Sequence, residues 1–146
     1  HTDEHSESAA SSNEARTSAL RSGVHDVVSE PLGRGPGTAG PASVYNNGNA
    51  RIAENYFLQI GQEVGAVGLT VFIVICYMVG RVLWRIHQRT EVATILLASL
   101  IGITIINMIS HAWTDDTLAY VWWGFAGLVI GAYGLQKDKS RAKKAI

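Results

Sequence analysis

The sequence is short of cysteine, and its middle is short of charge. It holds one cysteine, Cys76, so no disulfide can close within the chain. That thiol sits in an apolar run, where burial in lipid or against a neighbouring helix is its expected state. Three stretches lack Lys, Arg, Asp and Glu entirely: Val64–Gly80, Val92–Ser110 and Thr117–Leu135. Three adjacent uncharged runs with no polar face on any of them argue against a soluble bundle with buried core helices. None alternates as a strand of a membrane barrel would. A G-K-[ST] phosphate loop is missing, and the glycines at 33, 35, 37 and 40 follow no strand, so neither a Walker A loop nor a dinucleotide fingerprint is present. No basic leader with an apolar core precedes the polar first third, so we expect no signal peptide. The chain opens on His1, which leads us to expect a piece of a longer protein.

Net charge is absent too, at 12 Lys and Arg against 12 Asp and Glu, but the charges are segregated. The first fourteen residues carry four acids and no Lys or Arg, whereas residues 136–145 carry five Lys or Arg and one Asp. The 146 residues allow one modest domain.

The uncharged runs have 17, 19 and 19 residues. A helix of about 20 residues spans the hydrocarbon layer, and helices satisfy their own backbone there. We therefore expect an all-α fold of polytopic transmembrane helices, at about 64–84, 92–110 and 117–135, with an N-terminal extracytoplasmic helix-loop arm. Arg81 would snorkel to the headgroups. The link between the first two spans holds Arg81, Arg85 and Arg89, the next link, "HAWTDD", holds no Lys or Arg, and the tail is Lys-rich. Basic residues favour the cytoplasmic side. Residues 81–91 and the basic tail 137–146 are then cytoplasmic. The N-terminal region and 111–116 are extracytoplasmic, in a multi-pass protein of the cytoplasmic (inner) membrane. Asp116 is placed to cap the third span, with Asp115 favouring its N-terminus through the helix dipole. Gly61, Gly65 and Gly68, and the Gly127–Gly131 pair flanked by Gly124 and Gly134, offer close-packing faces. Trp84, Trp113, Trp122, Trp123 and Tyr120 suit the membrane interface.

Residues 1–13 read as disorder or linker, and 14–60 as an extracytoplasmic loop region. Within it a short amphipathic helix is expected over 14–29, packing through Ala15, Ala19, Val24, Val27 and Val28, weakened at Gly23 and ended by Pro31. Turn chemistry follows, and the exposed amides of such a glycine-rich loop can bind an anion. Arg16, Arg21, Arg34 and Arg51 lie on this outer side, against the trend elsewhere. Guanidinium groups grip phosphate through paired hydrogen bonds, which suits a diphosphate ligand. The alternative is that they are solvated or paired with Glu14, Asp26, Glu30 and Glu54. From Ala53 a helix continues into the first span, and Glu54 at its outer end is a candidate general base. Glu54 equally suits a helix cap or a pair with Arg51. His111 is a further candidate, with Asp115 four residues on as an orienting partner.

The order of these pieces resembles the O-antigen ligase and polymerase family. "EARTSALRSGVHDVVSEPLGRGPG" is similar to that family's outer-loop segment, with Arg16, then a short helix, then Pro31 and glycines at 33, 35 and 37. "AENYFLQIGQEVGAVG" resembles the stretch before the next span, and "NMISHAWTDDTLAYVWWGFAGL" the final helix pair with its outer loop. The likeness covers about 10–135. It implies the C-terminal part of a C-type glycosyltransferase that joins glycans carried on a polyprenyl diphosphate at the outer leaflet, with no cofactor, nucleotide or metal. On the match Arg16 corresponds to the loop arginine and carries catalysis with Glu54, while Arg21, Arg34, Arg51 and His111 contact substrate. Glu54 stands where ligases often carry histidine, which favours polymerisation or another glycan transfer over ligation to lipid A. The family has more spans than the three read here, so this chain alone is expected to be inactive and to meet further transmembrane helices of a parent protein or partner.

Two rival accounts stand beside the enzyme. One is a noncatalytic membrane subunit that packs its glycine faces on partner helices. The weaker one is part of a polysaccharide transporter, for which Asn107, Thr70, Thr94, Ser99 and Thr104 are the polar groups within the spans. The lipid bilayer is a partner in every account. Nucleic acid is not, because the basic residues sit at the inner headgroup level.

Overall fold

A computed structural model describes residues 2–45 and 54–144. Among them the architecture is all-helical, without strands. Helix α1 spans Thr2–Ser29, α2 Tyr56–Ile86, α3 Glu91–Asn107 and α4 Asp116–Lys144, with single 3-10 turns at Pro41–Tyr45, His87–Arg89 and Ala112–Thr114. The chain forms two compact units: His1–Phe72 with Ile106–His111, and Ile73–Ile105 with Ala112–Ile146. Helix α2 thus contributes to both.

Helix α1 begins at Thr2, where disorder or linker was expected over 1–13. Once the amphipathic segment has nucleated a helix, each further residue adds a hydrogen bond without a new nucleus. Its packing line also differs from expectation. Val24 and Val28 are exposed, whereas Gly23 is buried and Ala19 and Val27 are half-buried. These three repeat every fourth residue, so they share one face. A Cβ added at Gly61 of α2 would lie 2.7 Å from Val27 Cγ2. Small residues on both helices are what let them approach. Gly23, which weakens an isolated helix, is used here for packing.

Helix α2 is two helices joined at a break. Gly65 has φ 75° and ψ 178°, a conformation essentially restricted to glycine. The buried apolar residues of the second unit include Leu83, Ile86, Ala93, Leu96, Leu100, Trp122 and Ala126. Trp113, Trp122 and Trp123 form a triad with ring centroids 4.9–5.7 Å apart. Trp122 Nε1 donates to Ser99 Oγ at 2.8 Å. Trp113 and Trp122, expected at an interface, are buried within the unit, where the indole N–H of Trp122 finds a half-buried partner in Ser99. Trp84 and Tyr120 remain exposed. Arg89 stacks on the Tyr133 ring at 5.4 Å. The cap of α4 is Asp115 and not Asp116: its Oδ1 accepts from Leu118 N at 2.8 Å.

Two stretches are long and apolar enough to cross a membrane, Tyr56–Arg89 and Asp116–Lys137. Only 6% and 11% of their apolar windows are buried, unlike the core helices of a soluble protein. The expected middle span is shorter than read from sequence. Helix α3 has 17 residues and stops at Asn107, because the chain turns there, with Ile109 N donating to Ile106 O at 3.0 Å. At 1.5 Å per residue it reaches about 26 Å, against about 30 Å of hydrocarbon.

Candidate functional site

The first unit holds two polar clusters, and both use residues far apart in sequence. The first lies where α2 breaks. In an unbroken helix Gln62 O and Glu63 O would accept from the amides four residues on. Here Arg34 N donates to Gln62 O and Gly35 N to Glu63 O, each at 2.9 Å, while Ala66 N donates to Pro31 O at 3.0 Å. The glycine-rich loop therefore supplies the partners that the break removes, and the backbone groups stay satisfied. The fit leaves no room for a side chain at either glycine. A Cβ at Gly33 would lie 2.5 Å from Glu63 O, and one at Gly65 would lie 2.1 Å from Pro31 O. Farther along the loop, Gly37 N donates to Glu63 Oε1 at 3.2 Å, and Gln59 Nε2 reaches the same oxygen at 3.3 Å.

Arg34 is held beside this junction. Its Nη1 and Nη2 donate to Asp26 Oδ2 and Oδ1, both at 3.0 Å, and Nη2 reaches Glu30 Oε1 at 2.8 Å. Nε also pairs with Glu30 Oε2. Gln62 Nε2 adds a bond to Asp26 Oδ2 at 2.9 Å. The Arg34 hydrogen bond holds the Glu30 carboxyl below its ordinary 4.5, and the same contact raises Arg34. Arg34, expected to contact a diphosphate, is thus engaged by two local acids, the alternative its sequence neighbours allowed. The loop amides of Arg34 and Gly35 are likewise used within the fold and are not an open anion cradle.

The second cluster lies at the start of α2. Arg16 of α1 pairs with Glu54, 38 residues later, donating from Nε at 2.6 Å and also from Nη2 to the same Oε2. Both side chains are about half exposed. Asn55 caps α2, its Oδ1 accepting from Leu58 N at 3.1 Å. Its Nδ2 donates to Met108 O, also at 3.1 Å. This joins the beginning of α2 to the turn that carries His111. Burial lowers His111 from its ordinary 6.5, and the Glu54 carboxylate pulls the other way.

Arg16, Glu54 and His111 therefore belong to one unit, Arg16 and Glu54 as a contact pair and His111 on the turn that Asn55 holds. Arg21 lies exposed on α1 and takes no part in either cluster. Arg51 falls outside the described residues. Asp115, expected to orient His111, is used as the cap of α4. Sequence reasoning missed Asn55, Gln62 and Glu63 as organising residues. Asn55 carried a signal, a capping residue directly ahead of an apolar helical period. No local pattern announced the contacts of Gln62 and Glu63, which depend on the return of the loop. Among the described residues no His, Cys, Asp and Glu cluster suits a metal ion.

Comparison with protein-family models, curated proteins and solved structures yields no match.

Proposed function

We propose that this chain is part of a membrane-embedded glycan ligase or polymerase, acting at the outer face of the cytoplasmic membrane on a glycan carried by polyprenyl diphosphate. The observation that supports the reading is the Arg16–Glu54 pair, made across 38 residues, in the unit that also holds His111 and at the foot of a long apolar helix. In the reaction an acceptor hydroxyl attacks the anomeric carbon. The bond to the diphosphate oxygen breaks, and the diphosphate leaves with the electron pair. A guanidinium has five N–H donors, and two suffice for Glu54, so Arg16 retains donors for the leaving group. Engagement of the diphosphate competes with Glu54 for Arg16. The released carboxylate takes the acceptor proton, and His111 contacts the substrate. In this reading α2, α3 and α4 cross the bilayer, with the N-terminal arm and 111–116 outside and 81–91 inside. Further helices, of a parent protein or a partner, complete the enclosure of the glycan.

A noncatalytic packing subunit is the second reading, favoured by one observation. Gly124, Gly127, Gly131 and Gly134 share a face of α4, and a Cβ at any of them would meet nothing within 4 Å. The transporter reading has weaker support. Thr70, Thr94 and Thr104 donate their hydroxyls to backbone carbonyls, and Ser99 is bonded to Leu96 O and Trp122.

The test is glycan transfer in cells that carry Arg16→Ala or Glu54→Gln in the gene of the intact protein, with membrane abundance measured alongside. The expected result is a loss of about 100-fold or more at unchanged abundance, as for removal of a charge-stabilising group. Unaltered transfer in both variants overturns the reading and leaves the packing subunit. Arg34→Ala is expected instead to lower abundance, since it strands the buried side of the Asp26–Gln62 network.

A further inference from the structure

Three segments meet at the start of α2: residue 16 from α1, residues 54–55, and the turn 106–111. Arg16 secures Glu54 from one side. One side chain, Asn55, secures the other two segments to each other. Its two ends have separate tasks. The cap requires the amide oxygen to face Leu58 N, which turns the NH2 group toward Met108 O, so the two bonds fix its orientation together. Asn55 is half-buried, next in sequence to Glu54, and Met108 is three residues before His111. Moving this tether moves the two chemical groups relative to each other.

We propose that Asn55 is a positioning residue: its amide couples the N-terminus of α2 to the turn at Met108 and thereby sets Glu54 and His111 at a working separation. The proposal rests on the glycan-transfer reading only for the purpose of that separation. The tether itself is a property of the fold. The charged group that bears on the titration of His111 is Glu54, from the start of α2, which Arg16 of α1 holds.

Asn55→Ser separates the two tasks. A serine hydroxyl is a good helix cap but is too short to keep the bond to Met108 O. The imidazole of His111 is titrated by NMR in the intact protein in lipid nanodiscs, without substrate, with His111→Gln assigning the signal. In Asn55→Ser the midpoint is expected to rise toward 6.5, as the turn loosens and His111 gains water. Asn55→Ala, which loses cap and tether, is expected to show the same rise, and Asn55→Gln a partial one. Glycan transfer in Asn55→Ser is expected to fall roughly 10- to 100-fold, the usual effect of misplacing a reacting group by about 1 Å. An unmoved midpoint in Asn55→Ser overturns the positioning role. A raised midpoint with unaltered transfer upholds the tether and overturns the working separation, whereas the glycan-transfer reading falls when Arg16→Ala and Glu54→Gln leave transfer unaltered, so the two failures are told apart.

Discussion

The glycines of the loop and of α4 are the same residue put to opposite uses. At Gly33 and Gly65 the backbone has positive φ, and a methyl group would collide with main-chain atoms. At Gly124, Gly127, Gly131 and Gly134 the backbone is helical, and a methyl group would meet open space. The first set is required by contacts within the unit. The second set is required by nothing within it. Glycine content in an apolar sequence is therefore uninformative until the backbone is known. The positions that specify this fold are those where two main chains touch.

The largest effect is expected at Gly65. Gly65→Ala places a Cβ 2.1 Å from Pro31 O, against backbone that no rotamer change can move. Relief requires the loop to leave the break, which forfeits three inter-segment backbone bonds. With the strained torsions added, the cost is about 4–6 kcal/mol, from roughly 1 kcal/mol per lost bond and 1–3 for the backbone. Gly37→Ala sharpens the comparison. Gly37 has φ 78°, close to the 75° of Gly65, yet a Cβ there meets nothing within 4 Å. It should lose only about 1–2 kcal/mol, the cost of a left-handed L-residue. Thermal unfolding of both variants in one detergent is the measurement. Equal losses would mean that torsion, and not the loop contact, holds the break.

A smaller effect separates the two polar clusters by pH. The folded His111 binds its proton less readily than the unfolded chain does, so its contribution to stability is present above pH 6.5 and is lost as pH falls below it. Glu30 is held below 4.5 by Arg34, so its contribution is present above pH 4.5 and is lost as pH falls further. Unfolding measured from pH 8 to pH 3 should show a descent below pH 6.5 that His111→Gln lacks and a shallow one below pH 4.5 that Glu30→Gln weakens.

Much of the fold was legible because periodicity and charge are local. The uncharged runs delivered α2, α3 and α4, and Pro31 ended α1 as expected. Arg16 and Glu54 were both singled out, and Glu54 stood among the acids open to the outer arginines, but which arginine takes it was not legible, since 38 residues separate the pair and Arg51 stood closer. The break at Gly65 was read as part of a smooth helix face. Its cause is the return of residues 31–35, and no pattern within 56–72 contains that loop. Asp116 was chosen as a cap over Asp115 because adjacent acids are indistinguishable until the helix start is fixed. The middle apolar run was read through Ser110 because Met108 and Ile109 are apolar. Composition does not reveal that the chain turns after Asn107, nor that Asn55 binds that turn.

The smallest effect is expected on α4. Gly131→Ala adds a methyl group to open space in a helical backbone, so within this chain it should be neutral or stabilise by up to about 1 kcal/mol through helix propensity. Gly131→Leu should do the same, since no neighbour stands within 4 Å. A close-packed partner helix reverses the ordering. Small residues are needed where two membrane helices touch, so leucine would then weaken the association while alanine would largely preserve it. Comparing the two variants in isolated micelles and in native membranes isolates the partner's contribution. Neutrality in both settings means that this glycine face meets only lipid. A loss confined to leucine in native membranes means that another helix lies on α4, and that these glycines are fixed by contact just as Gly33 and Gly65 are.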